Sequence, residues 1–367
     1  MDRMSAPAQA SGPTPALTDE WMLGRLRVPN RVLLAPLAGI GNWFVRLQAK
    51  RYGAGMAFSE MVSSHAIHHG NEKTHRELLR IDARERATGP TSIQLFGEDP
   101  AVLRSAAAHV AGMGADAIDI NMGCPVTKVC KTGAGAALLD DPDRAVAAAR
   151  ETVAGAAEGA KSGVPVTAKL RSGVRAGDES GFELAHRLVE EAGVAAIIFH
   201  PRSAAVQHKG SPDYALVARL VRSLPAPVML SGGLDDARSV REAFEATGAE
   251  ALMLARGALG NPWLFEELLR GRERAPAREE VLAELDWTMA RAVEHLGEVR
   301  ATRYLRKFYP WYVARLELTP EERRELLARA QEAETLTHAR AVMGIARRAQ
   351  GAAQARADAS GEPLAAA

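Results

Sequence analysis

Cys124 stands in the run Ile118-Asp119-Ile120-Asn121-Met122-Gly123-Cys124-Pro125, where an apolar stretch ends in a Gly/Pro turn carrying an amide and a thiol. A buried strand delivers its last side chains to the rim of a sheet, and a glycine there lets a ligand approach the backbone. A thiol at such a rim is suited to giving a proton to a reacting carbon. Taken alone, Cys124 also reads as a small packing residue, since free cysteine is among the most buried types. Its neighbours favour the reagent. Lys169 and His200 each close an apolar run and are expected to point at a common axis, while Ser231-Gly232-Gly233 and Ala255-Arg256-Gly257 supply backbone amides and a guanidinium suited to a phosphate.

Those residues need a scaffold that gathers strand ends. Short apolar runs at 32–37, 56–61, 92–96, 117–121, 164–170, 195–200, 227–231 and 251–255 alternate with helix-like stretches. Continuous apolar strands alternating with helices indicate a parallel sheet, and eight such units predict an α/β fold, a (β/α)₈ TIM barrel. A doubly wound sheet is the competitor, but no Gly-x-Gly-x-x-Gly follows the first run, which ends in Ala35-Pro36-Leu37-Ala38-Gly39. At or just past the run ends stand Pro36, Glu60, Gln94, Asn121, Lys169, His200, Gly232 and Arg256. Any one of them can be a solvated loop start; as a ring they converge on one mouth. Flavin mononucleotide (FMN) fits that geometry, with its phosphate at the seventh and eighth strand ends. Lys169 and Gln94 would then meet the flavin pyrimidine edge, and Cys124 would face the reacting carbon.

Beyond residue 271 the pattern changes to helical spacing over 279–297, 298–309 and 320–350, with Thr319 as N-cap before Pro320. The stretch 299–316 has no acid, five basic residues (Arg300, Arg303, Arg306, Lys307, Arg315) and five of the chain's eighteen aromatics. Arg300, Arg303 and Lys307 share one face of a predicted helix, so a cationic stripe flanked by stacking rings is available for phosphates and splayed bases. A solvated charged face over an aromatic core is the alternative. Formal net charge is +1 over 367 residues, which excludes a globally basic nucleic-acid binder and leaves only a regional polyanion site. Two cysteines six residues apart form no zinc or disulfide framework, and the Ala/Pro/Ser-rich start is neither signal peptide nor membrane span, so a cytoplasmic protein is expected. The expected division is a disordered extension over 1–18, a barrel over 19–271, a helical domain over 272–350 and a disordered tail over 351–367.

Pro36-Leu37-Ala38-Gly39, Gln94-Leu95-Phe96-Gly97, Asp119 to Pro125, Lys169-Leu170-Arg171-Ser172-Gly173, His200-Pro201-Arg202 and Arg256 to Trp263 resemble, in order and spacing, the tRNA-dihydrouridine synthase family, the bacterial B-type subgroup most. The resemblance spans about residues 28–350. It implies an FMN-dependent enzyme that uses NADPH, with NADH possible, to reduce the C5–C6 bond of a uridine in tRNA. It makes Cys124 the acid that protonates C5, and Pro36, Leu37, Ala38, Gln94, Lys169, His200, Ser231, Gly232, Gly233, Ala255 and Arg256 the flavin site. Asn121, Arg171 and Arg202 become candidates for uracil or cofactor contact, and Arg300, Arg303 and Lys307 for tRNA. An everted uridine would reach the barrel mouth while the helical domain grips the surrounding backbone.

Three positions depart from the family pattern: Ser231-Gly232-Gly233 for Asn-Gly-Asp, Ala255 for the Gly before Arg256, and Pro201 for the Gly after His200. All lie near the expected phosphate, and small residues persist where close approach is needed. Cys130 has no evident role. Two other functions compete: an FMN barrel acting on a free pyrimidine, which needs no basic helical domain, and a tRNA-binding protein whose flavin chemistry has lapsed, against which Cys124, Lys169 and His200 together speak.

Overall fold

In the computed structural model, residues 15–160, 163–272 and 275–345 are described. A short antiparallel hairpin, β1 (Trp21–Leu23) and β2 (Leu26–Val28), precedes eight parallel strands. These are β3 (Val32–Leu34), β4 (Ala57–Ser63), β5 (Thr91–Phe96), β6 (Ala117–Met122), β7 (Val166–Arg171), β8 (Ala196–His200), β9 (Val228–Ser231) and β10 (Ala251–Leu254). Each pairs with the next and β10 pairs with β3, closing the barrel. The eight apolar runs thus become eight strands because a sheet covered on both faces needs no polar alternation.

The hairpin was not expected, and it has a packing reason. Trp21, Leu23 and Val28 join the core cluster that contains Ala117, Ala196 and Ala251, the first residues of β6, β8 and β10. They plug the N-terminal end of the barrel and leave the C-terminal end for chemistry. Burying Leu23 or Val28 contributes about 1.5–3 kcal/mol each.

Several expected boundaries move. The first strand stops at Leu34 rather than residue 37, because Pro36 has no N–H to continue the ladder. β4 runs on to Ser63 past a register shift between Phe58 and Met61, so Glu60 lies inside it and accepts from N of Gly39 at 2.5 Å. Residues 15–18, expected to be disordered, enter a turn in which N of Asp19 donates to the Ala16 carbonyl and N of Arg31 to that of Leu17. The expected disorder of residues 1–14 and 351–367 lies outside the described residues.

The chain divides into two compact units, one reaching to residue 258 and including 262–273, the other containing 259–261 and the residues from 274. Among the described residues the second unit has helices Arg278–Leu296, Glu298–Leu305, Tyr309–Val313, Pro320–Glu332 and Leu336–Met343. The helix expected over 298–309 breaks after Leu305, and Pro310 opens the next one within its first turn. The helix expected over 320–350 breaks at Ala333, where a second N-cap, Thr335, starts a new one. Thr319 caps as expected, its Oγ1 accepting from N of Glu322 at 3.2 Å while Glu322 Oε2 accepts from N of Thr319 at 2.8 Å.

Candidate active site at the barrel mouth

β6 delivers Asn121 to the C-terminal rim, and the turn carrying Cys124 follows at once. Asn121 Oδ1 accepts from N of Cys124 at 3.0 Å and from N of Gly123 at 3.3 Å. On the other side, the Cys124 carbonyl accepts from N of Ala136 at 3.0 Å and from Cys130 Sγ at 3.3 Å. Cys130 therefore has a place: its thiol helps hold the turn. Cys124 itself is half-buried, so its thiol belongs to neither the core nor the open surface.

Behind this turn lies a chain of polar side chains inside the barrel. Asn121 Nδ2 donates to Gln94 Oε1 at 2.9 Å, and Gln94 Nε2 donates to Asp119 Oδ2 at 2.6 Å. Thr167 Oγ1 donates to Asp119 Oδ1 at 2.6 Å. Gln94, Asn121 and Asp119 sit on the adjacent strands β5 and β6, with Gln94 paired in register to Asp119. Burial pushes the Asp119 carboxyl well above the ordinary carboxylate range, against the pull of its hydrogen bonds and the nearby Lys169. Asp119 and Thr167 were not singled out from sequence; a carboxylate inside an otherwise apolar run was the available signal.

On β7, Lys169 pairs in register with Asn121 and donates through Nζ to Ser231 Oγ at 3.0 Å. It does not end its strand as the apolar run suggests, because β7 continues through Arg171. Burial, with Arg171 close by, holds the Lys169 ammonium well below the usual lysine range, and the Asp119 carboxylate opposes this. His200 closes β8 and is buried; burial first, then Lys169, Arg171 and Arg202, keep its ring neutral far into acid.

The turn after β9 is shaped for close approach. Gly232 and Gly233 have φ of +99° and +79°. A Cβ on Gly232 would lie 2.5 Å from His200 Nε2, and one on Gly233 2.7 Å from the Tyr214 hydroxyl. Tyr214, another residue missed from sequence, donates toward the carbonyls of Gly232 at 3.3 Å and Gly233 at 3.4 Å. Ala255 packs partly against the core at the end of β10, and the exposed Arg256 opens the short turn that follows. Pro36, Leu37 and Ala38 lie in the loop after β3, where the Leu37 carbonyl accepts from N of Ile40 at 3.0 Å and of Gly41 at 2.7 Å.

Arg171 and Arg202 hold loops. Arg171 Nε donates to the Gly123 carbonyl at 2.9 Å, and Nη1 to those of Ser203 at 3.1 Å and Gln207 at 2.8 Å. Arg202 donates through Nε and Nη2 to the Gly210 carbonyl at 3.1 and 2.7 Å, with Nη1 3.4 Å from His200 Nε2. Gln207 carries the positive φ of 54° in this loop, and the ring of His208 stacks 5.8 Å from that of His200. Burial and the charges of Arg171, Arg256, Arg202 and Lys169 hold His208 below its ordinary value, so these cations share one field.

These residues could hold a flavin. A Cβ-free turn beside neutral His200, with Lys169 and Arg256 in the same field, suits a phosphate and a ring that gains negative charge.

In the helical unit, Arg300 and Arg303 are exposed on the helix Glu298–Leu305, whereas Lys307 lies past its end with Nζ 4.9 Å over the Tyr304 ring. The expected face of three cations on one helix is therefore two helical cations and one in the following turn. Phe308, Tyr309 and Tyr312 are at most 3% exposed and form core; Tyr304 and Trp311 remain half-buried. The flanking rings are thus mostly packing residues, the helix break having turned them inward.

Comparison with known proteins gives one consistent picture. A family model described as dihydrouridine synthase matches residues 33–349. The tRNA-dihydrouridine synthase B of Pseudomonas aeruginosa is 37% identical over 304 residues, covering 80% of this chain and 87% of that one. That of Vibrio vulnificus is 34% identical over 307 residues, covering 82% and 92%. Among solved structures, a morphinone reductase mutant in complex with tetrahydroNAD aligns with a TM-score of 0.51 at 15% identity, covering 73% of this chain and 94% of that one. A 2-naphthoyl-CoA reductase aligns with a TM-score of 0.53 at 13% identity, covering 72% and 53%. These structural likenesses concern the fold.

Proposed function

Since the chain belongs to the dihydrouridine synthase family, we propose that it reduces the C5–C6 double bond of a uridine in tRNA, with FMN as bound cofactor and NADPH as reductant. The barrel would be the catalytic domain and the helical unit the tRNA-binding domain of a cytoplasmic enzyme. Among the described residues no helix is long and apolar enough to cross a membrane.

Bound FMN would supply the hydride for C6 of the uracil, drawn from NADPH. The chain's residues do the rest. Hydride arrival at C6 leaves an electron pair at C5, and Cys124 Sγ–H supplies the proton there, to be replaced from solvent. Lys169, with Gln94, offsets the negative charge that gathers at the flavin pyrimidine edge. Gly232, Gly233 and Arg256 would take the phosphate, and neutral His200 would offer a hydrogen bond without adding charge. Arg171 Nη2 meets no acceptor among the described residues and is suited to a uracil carbonyl, while the second Asn121 amide N–H has only the weak Met61 sulfur at 3.9 Å, which a carbonyl would displace.

What supports this reading most is the placement of Cys124 three residues beyond Asn121, itself in register with Lys169 on the neighbouring strand. A proton donor and a charge-stabilising ammonium thus approach one mouth from adjacent strands. The test is direct: purified protein with FMN, NADPH and tRNA lacking dihydrouridine should form dihydrouridine by mass spectrometry. Bound FMN with no dihydrouridine on any tRNA would favour a free pyrimidine as substrate.

A further inference from the structure

Asp119 is wholly buried, and the reaction above gives it no part. Its carboxyl accepts from the side chains of Gln94 and Thr167, both at 2.6 Å, and is helped by the Ile120 main chain and the nearby Lys169 charge, with no ion pair within 4 Å among the described residues. An ionised carboxylate accepts only, and a protonated one can still turn a bare oxygen to Gln94 with its O–H toward the Thr167 hydroxyl, whereas an amide presents an oxygen at one end and N–H groups at the other. Because Asp119 accepts, Gln94 must offer it Nε2, which leaves Oε1 for Asn121 Nδ2, which leaves Asn121 Oδ1 for the N–H groups of Gly123 and Cys124. The Asp119 oxygen that accepts from Gln94 stands at one end of the chain and donor-only backbone N–H at the other. The two amides between them therefore point one way.

We propose that Asp119 is a positioning residue: it sets the orientation of the Gln94 and Asn121 amides, and through them the aim of the Cys124 turn and of the N–H groups offered to flavin and uracil. The inference rests on the function proposed above. Its force comes from the flips it forbids. With Asp119 gone, nothing at the inner end keeps Gln94 from presenting Oε1 inward. Asn121 would then face an N–H, turn in response, and release Cys124 N. A misplacement of about 1 Å at a reacting group is enough to cost about 10²-fold in rate.

The test compares Asp119→Leu with Asp119→Asn in FMN-loaded protein. Asparagine can still offer Gln94 an oxygen, because the Thr167 hydroxyl accepts as well as donates; leucine cannot. Single-turnover reoxidation of the flavin by tRNA should slow about 10- to 100-fold in the leucine variant and stay within about threefold in the asparagine variant. KM for tRNA should change little in either, and NADPH reduction of the flavin, which feels the Gln94 amide but not Cys124, should slow less in the leucine variant than reoxidation does. Should the leucine variant fail to hold FMN, Asp119→Ser, smaller and too short to reach Gln94, makes the same comparison. Equal slowing of the leucine and asparagine variants would mean that the charge acts and not the polarity of the chain, and a leucine variant as fast as wild type would mean that Asp119 only packs; either overturns the proposal. Wild-type protein that neither binds FMN nor reduces uridine would refute the function itself, and this inference with it.

Discussion

Cys130 Sγ donates to the main-chain carbonyl of Cys124 at 3.3 Å, while Asn121 Oδ1 accepts from N of the same residue at 3.0 Å. Both main-chain polar groups of Cys124 are thereby held, and its side chain is delivered from a fixed turn. A general acid gains most from such fixing, since its reach must match one carbon.

Cys124→Ala should leave NADPH reduction of the flavin intact and slow uridine reduction by roughly 10²–10⁴-fold, the usual worth of a positioned general acid. Rapid mixing of the two half-reactions measures each separately. Near-normal turnover on tRNA would move the acid role to another residue.

Gly232→Ala should strip the protein of FMN and lower its stability by about 1–3 kcal/mol, the cost of a non-glycine residue at a strained φ. Here the added Cβ also meets His200 Nε2 at 2.5 Å. Gly193→Ala is the control: its φ is +74° but nothing lies within 4 Å of the new Cβ, so it should lose stability without losing flavin. Flavin absorbance per mole of protein and denaturant melts read both effects. Full flavin content in Gly232→Ala would mean that the turn is not the cradle.

The barrel was legible because its eight strands are buried on both faces and read as eight apolar runs. Strand ends were less so. Lys169 seemed terminal, yet hydrogen-bond register carries β7 two residues further, which sequence polarity does not report. The role of Asp119 is not visible in sequence, since its partners Gln94 and Thr167 lie 25 and 48 residues away and meet it only when the strands close. Of the two readings of 299–316, the charged face over an aromatic core describes Phe308, Tyr309 and Tyr312, which are buried beyond the break after Leu305. Pro310 was the signal for that break.

His200 should make the protein sensitive to acid. Its folded ring resists protonation, whereas the unfolded ring binds a proton below about pH 6.5. The unfolded state therefore holds more protons in that range, and stability falls as pH drops below it. The thermal midpoint of wild type should drop more between pH 7 and pH 5 than that of His200→Asn. Parallel curves would remove His200 as the cause.

Arg300, Arg303 and Lys307 predict a salt-dependent grip on tRNA with a log–log slope of about −0.7 to −0.9 per phosphate contacted. Replacing all three with Gln should flatten that slope by about two to three units while flavin content and NADPH oxidation stay the same. The helical break leaves all three exposed, so the prediction survives the loss of the single helical face. Affinity titrations at several salt concentrations decide it, and an unaltered slope would place tRNA on another surface.

Reduction of a tRNA uridine through Cys124 leaves a direct signature in the cell's tRNA. Its most direct measure is the dihydrouridine content, position by position, of tRNA from cells lacking the protein, restored with wild type or with Cys124→Ala. At least one dihydrouridine should disappear without the protein, return with wild type and stay absent or strongly reduced with the variant. An unchanged set of dihydrouridines in the cells lacking the protein would contradict it.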